Sequence, residues 1–184
     1  MGQIWHETTI STSADQIPFS IGQLIDEWQE AGRNYRTYRS DGPIINNISW
    51  LSGAYEQTSA TMDNLHLQLF FHKTHQHNYQ HLSNGLQKGL AYNSRWFGAL
   101  DYDTLRLIEF PLTEGTYATL NGNLIPYSEA LFLCDVDDQD NDVFNMPFYT
   151  AAHEVSHYWW GHRIDPANEE GGKIVTATIA ETLT

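Results

Sequence analysis

The sequence predicts an α+β chain, and three observations carry that prediction. Residues 1–62 divide into short extended segments punctuated by Ser, Asp, Gly and Pro. Residues 64–72 and Thr104–Phe110 read as strands. Tyr79–Phe97 and the stretch that opens at Asn145 carry apolar residues at the three-to-four spacing of helices.

In order, residues 4–10 read as extended and are followed by the polar patch 11–15 and then Ile17-Pro18-Phe19. Ile21, Leu24, Ile25 and Trp28 have helical spacing over about two turns. Residues 34–39 alternate like a half-buried strand ending at Asp41-Gly42-Pro43, with Arg33, Arg36 and Arg39 as an outward face. Residues 44–55 are extended, with a break at Ser52-Gly53. In 64–72, Leu65, Leu67 and Leu69 alternate with His66, Gln68 and Phe70. His72, His75, His77 and His81 follow across a turn, with no fixed ligand spacing and no carboxylate nearby in sequence, which favours a solvated loop.

Tyr79, Leu82, Leu86 and Leu90 mark a helix with Asn78 as its N-cap and Gly98 as its stop. Thr104–Phe110 is a strand ended by Pro111, and residues 128–134 (SEALFLC) read as the last strand. The acidic run 135–142 lacks the Gly and distal Glu of a calcium loop and reads as solvated. Asn145 caps the next helix, Pro147 sits in its first turn, and Phe148, Ala151, Ala152, Val155 and Trp159 form its apolar face. Residues 173–184 are ambiguous. Ile174, Val175, Thr176, Thr178 and Ile179 favour strand, whereas Ile174, Ala177 and Glu181 share one side of a helix.

Composition narrows the function classes. With 184 residues and 41% hydrophobic side chains, the chain can build a core. A net charge of −14 has the wrong sign for nucleic acid, which is bound by neutralising phosphates. Cys134 stands alone, so neither an internal disulfide nor a cysteine zinc site is available. No apolar run reaches membrane-span length, and MGQIWHETT lacks the pattern of a signal peptide. The start at Met1-Gly2 and the close at Thr184 without a helix stop signal lead us to expect a soluble fragment of a longer protein.

The chemistry concentrates in His153-Glu154-Val155-Ser156-His157. On a helix, residues four apart share a face, so both imidazoles can reach one metal ion. Zinc accepts neutral imidazole nitrogen and, in catalytic sites, takes three protein ligands and a water. Glu154 is placed to take a proton from that water as it attacks a carbonyl. The metzincin pattern would need Gly and His at positions held by Trp160 and Arg163, so it does not apply. A third ligand from a following helix has the candidates Glu169, Glu170 and Glu181. Glu169 and Glu170 lie in a Gly-flanked loop, which makes Glu181 the better choice.

HEVSHYWWG resembles the H-E-x-x-H-x-W-x-G of the aminopeptidase N family of gluzincins. The blocks WQEAGRNYRTYR, LSGAYE, LAYNSRWFGALDYDTLRLIEFP, NLIPYSEALF and the segment from His153 to Thr184 resemble the branch fused to membrane permease segments, mostly in bacteria. The resemblance implies the end of an N-terminal β-domain over residues 1–62. It implies the first half of a thermolysin-like catalytic domain over 63–184, a mixed sheet above the His153–His157 helix. The expected cofactor is Zn²⁺, held by His153, His157 and Glu181, and the expected partner is a peptide. Contact with a membrane would come only through segments outside this chain, with the domain on the extracytoplasmic side.

Two departures accompany the likeness. The family's spacing would put the ligand at Thr176, so Glu181 implies a loop longer by five residues, which RIDPANEEGG can hold. The exopeptidase motif G-x-M-E-N is absent. Residues 125–129 are taken to stand in its place, with Glu129 holding the substrate's amino group and the 125–133 strand pairing with its backbone. The family's oxyanion-stabilising tyrosine would lie beyond Thr184. The alternative function is a non-catalytic peptidase-like module that binds peptides or partners beside a transporter.

Overall fold

A computed structural model describes residues 3–136, 144–164 and 171–182. Glu169, Glu170 and most of the acidic run 135–142 lie outside these residues. The strands are β1 (Gln3–Ile4), β2 (Glu7–Ser13), β3 (Ile17–Ser20), β4 (Gln23–Glu30), β5 (Arg33–Arg39), β6 (Ile44–Ile45), β7 (Trp50–Gly53), β8 (Tyr55–Met62), β9 (Leu65–His72), β10 (Thr104–Phe110) and β11 (Leu124–Ser128). The helices are α1 (Tyr79–Phe97), α2 (Glu129–Phe132), α3 (Met146–Ser156) and α4 (Gly172–Thr182), with one 3₁₀ turn at Leu112–Glu114. The chain is α+β, as its patterning predicts. Among the described residues no helix is long and apolar enough to cross a membrane.

The central sheet has the order β11-β10-β9-β8, with β9, β10 and β11 parallel and β8 antiparallel to β9. Both of its faces are covered, which is why β10 is buried along nearly its whole length. One face carries Leu67, Leu69, Leu105, Leu107, Ile125 and Tyr127 into a core completed by Leu82, Leu86 and Leu90 of α1 and Ala151 and Val155 of α3. The other carries Phe70, Ile108 and Leu124 against Phe19, Ile21 and Tyr38 of the first strands. Those strands form a three-stranded antiparallel sheet, β2-β5-β4, and the pairs β3–β7 and β1–β6. Buried Arg106 ties the layers together: its Nη1 donates to the carbonyl of Gly22 at 3.0 Å, and its guanidinium lies over the Tyr38 ring.

The helical spacing at 21–28 is overturned, because that stretch is β4. Leu24 pairs with Tyr38 and Asp26 with Thr37, so Ile25 is the extra residue of a bulge. The bulge breaks period-two alternation and mimics a three-to-four repeat, while Trp28 stacks on Tyr35 across the pair. The strand expected over 128–134 is also overturned. The strand is β11, ending at Ser128, whose Oγ accepts the N–H of Ala130 at 3.4 Å and opens α2. Asn78 precedes α1 without capping it. Its Nδ2 donates instead to the carbonyls of Phe132 and Cys134, both at 2.7 Å. Of the ambiguous 173–184 stretch, residues 173–182 are helical within α4, so strand propensity there yields to tertiary context.

Helix α3 is positioned by its close approach to α1. A Cβ on Gly85 would stand 2.3 Å from the carbonyl oxygen of Phe148, and one on Gly89 would stand 2.8 Å from Val155 Cγ1. Asn93, one turn on, donates to Ser156 Oγ at 3.0 Å, and Ser156 Oγ donates to the Ala152 carbonyl at 2.8 Å. Gly85→Ala is expected to destabilise the fold by about 1–3 kcal/mol through overpacking, outweighing its gain of about 1 kcal/mol in helix propensity. A thermal melt showing a Tm equal to or above that of the unaltered chain would contradict this packing.

Candidate metal and catalytic centre

Asn145 Oδ1 accepts the N–H of Phe148 at 3.1 Å, capping α3 as the sequence indicates, with Pro147 in the first turn. The helix closes at Ser156, and His157 caps it in αR conformation. His153 and His157 therefore lie one turn apart on the same side, and their Nε2 atoms stand 3.1 Å from each other. The main-chain carbonyl of Trp160 accepts from His157 Nδ1 at 2.9 Å, which keeps the proton on Nδ1 and leaves the Nε2 lone pair facing His153. Burial and the neighbouring His157 hold the His153 pKa below its ordinary value, against an upward pull from Glu181. Both effects that lower it favour the neutral ring that binds metals.

Two ligand nitrogens about 2.0–2.1 Å from a tetrahedral ion would be about 3.3–3.4 Å apart. The separation of the two Nε2 atoms is close to that edge, so the pair fits a metal ion with little adjustment. Glu181 lies on α4, and its carboxylate does not form, with His153 and His157, a set of ligand atoms within 4.8 Å of one another. Tyr149, four residues before His153, stacks on its ring at 6.0 Å between centroids and donates its hydroxyl to Glu181 Oε1 at 3.0 Å. Tyr149 thus ties the Glu181 carboxylate to α3, one turn before His153. The sequence reading did not single out Tyr149, although its i, i+4 relation to His153 was there to be read.

Glu154, between the two histidines in sequence, is buried, with 7% exposure. Burial pushes its pKa up to about 7, opposed by a backbone hydrogen bond at Leu120. Leu120 belongs to a short segment bridged antiparallel to β11 through Ala118 with Tyr127 and Asn121 with Leu124. Thr119 donates to Pro126 at 3.2 Å and Asn121 to Leu124 at 2.8 Å, so by strand alternation the Leu120 backbone faces away from β11. His162 also bonds to the Leu120 backbone, and burial followed by His157 lowers its pKa. His162 was passed over in sequence because it occupies neither position of the metzincin spacing.

The expected pairing edge is corrected accordingly: residues 117–121 cover β11, so the outward edge beside Glu154 is theirs. Glu129 lies elsewhere. β11 runs antiparallel to α3, with Tyr127 donating to the carbonyl of Pro147 at 3.4 Å and Leu120 bonded to Glu154. Pro147 and Glu154 are seven residues, or about 10 Å, apart along the helix. Glu129, beyond Tyr127, falls toward the far end of α3, where its Oε1 accepts the Leu112 N–H at 2.7 Å.

No protein-family model matches the sequence, and no curated protein matches it. Among solved structures, the chain is similar to the crystal structure of Legionella pneumophila aminopeptidase A in complex with aspartic acid, with a TM-score of 0.79 and 17% identity. The match covers 97% of this chain and 23% of that one, so this chain spans less than a quarter of that protein's length. At that identity the likeness shows the fold alone: these strands and helices are arranged as in part of an aminopeptidase.

Proposed function

We propose that this chain carries the metal-binding part of a zinc-dependent peptidase of the gluzincin type, acting on the free amino end of peptides. The observation that carries the reading is the facing pair of Nε2 atoms on α3 with a buried carboxylate between them in sequence. His153, His157 and Glu181 would hold the zinc, which supplies Lewis acidity toward a carbonyl and a water when bound. Glu154 accepts the proton of the attacking water and delivers it to the leaving nitrogen. Its enclosed setting, which raises its proton affinity, suits a group that must take and return a proton near neutrality. The outward backbone of 117–121 receives the substrate as an added strand. Specificity for the amino end rests on the aminopeptidase fold neighbour and the sequence blocks; Glu129, committed to Leu112, is not assigned to it. Fusion to permease segments and an extracytoplasmic position rest on those sequence blocks alone.

The test is hydrolysis of aminoacyl amides by the full-length protein, with chelator added and zinc restored. Activity that chelator removes and zinc returns supports the reading, and Glu181→Gln should weaken zinc binding by at least about tenfold. Tightly bound zinc with no cleavage of any free or blocked peptide would replace it with the non-catalytic binding module. Undiminished zinc affinity in Glu181→Gln would remove Glu181 from the ligand set.

A further inference from the structure

Glu109 is an acidic side chain in the apolar strand β10, and it is only 2% exposed. Its Oε2 accepts the N–H of His72 at 2.8 Å, and its Oε1 meets Nδ1 of His75. Glu129, half-buried at the start of α2, is pinned through Oε1 by the N–H of Leu112. The ligand atoms of His75, Glu109 and Glu129 all lie within 4.8 Å of one another. They come from the turn after β9, from β10 and from the residue after β11, so they gather at the carboxyl ends of three adjacent parallel strands.

Two carboxylates this close repel, and the buried one also loses hydration. Among the described residues no lysine or arginine pairs with either. Compensation falls to the His75 ring or to a bound cation. Ligand atoms about 2.0–2.1 Å from a metal ion are themselves about 3.3–4.2 Å apart, so the trio needs only a small closure to enclose one. An imidazole with two carboxylates suits zinc or a neighbouring first-row ion, whereas calcium and magnesium take oxygen ligands. The N–H groups of His72 and Leu112 each occupy one carboxylate oxygen and so fix the orientation of both carboxylates.

We propose that His75, Glu109 and Glu129 form a second divalent-metal site, separate from the His153–His157 pair, which binds zinc and clips the turn after β9 to β10 and α2. The histidines at 72, 75, 77 and 81 looked like a solvated loop because the partners of His75 are far away in sequence, at 109 and 129.

Zinc titration of the His153→Ala/His157→Ala variant isolates this site from the first. About one equivalent of zinc should remain, and adding Glu129→Gln should weaken it by at least about tenfold. Glutamine still offers an oxygen to the Leu112 N–H, so circular dichroism should show the fold retained. As a second measurement, Glu129→Gln in the otherwise unaltered chain should lower total bound zinc by about one equivalent. No zinc bound by the double variant, or affinity unchanged by both Glu129→Gln and His75→Gln, would overturn the proposal and leave an ion pair. Calcium displacing zinc at equal concentration would overturn the ligand assignment.

Discussion

Glu154→Gln should abolish most peptide hydrolysis while leaving metal content unchanged. Glutamine preserves the shape and can still accept the backbone hydrogen bond at Leu120, but it cannot hold the transferred proton. General acid–base catalysis contributes about 10²–10⁴-fold, so kcat/KM should fall by at least that factor. Because Glu154 bonds to the Leu120 backbone and is not one of the proposed ligands, zinc analysis of the variant should match the unaltered protein. Retained activity would show that the proton moves by another route. Lost zinc would show that Glu154 belongs to the ligand set.

The second large effect is expected from His153→Ala combined with His157→Ala. Removing both nitrogens takes away two of the three proposed ligands, and bound zinc should fall by about one equivalent. Zinc at a hundred times its Kd stabilises a protein by about 2.7 kcal/mol. At about 2–4 °C per kcal/mol for a chain of this size, the zinc-dependent rise in Tm contributed by this site should shrink by roughly 5–11 °C. An undiminished rise would place the stabilising ion elsewhere, and the His75 trio would be the first place to look.

The parts of the fold that could be read from sequence are those set by local signals. Tyr79–Phe97 and Thr104–Phe110 lie where periodicity puts them, and the cap at Asn145 and proline at 147 locate α3 because each acts within one turn. Misreadings arose where a distant partner decides the outcome. The bulge at Ile25 exists because β4 must match β5, and Asn78 leaves its cap position because the end of α2 offers it two carbonyls. At the site, the facing imidazoles follow from helical spacing, but the roles of Leu120 and Tyr149 depend on a strand edge and on α4. Glu129 follows the end of β11, and its engagement by the Leu112 N–H depends on a loop 17 residues earlier, which local patterning does not reveal.

The glycine seam between α1 and α3 bears on how this protein would respond to random mutation. Gly85, Gly89 and Asn93 fall on one stripe of a helix that supplies none of the three proposed ligands. Yet that stripe sets how near α3 can come to α1, and so where the two imidazoles stand. A selection for lost metal-dependent growth should therefore recover bulky replacements along this stripe as readily as changes at His153 or His157. Exposed positions on the same helix, such as Tyr92 and Trp96, should survive nearly any replacement. The map of intolerant positions would trace the buried seam behind the histidines and not just the surface in front of them.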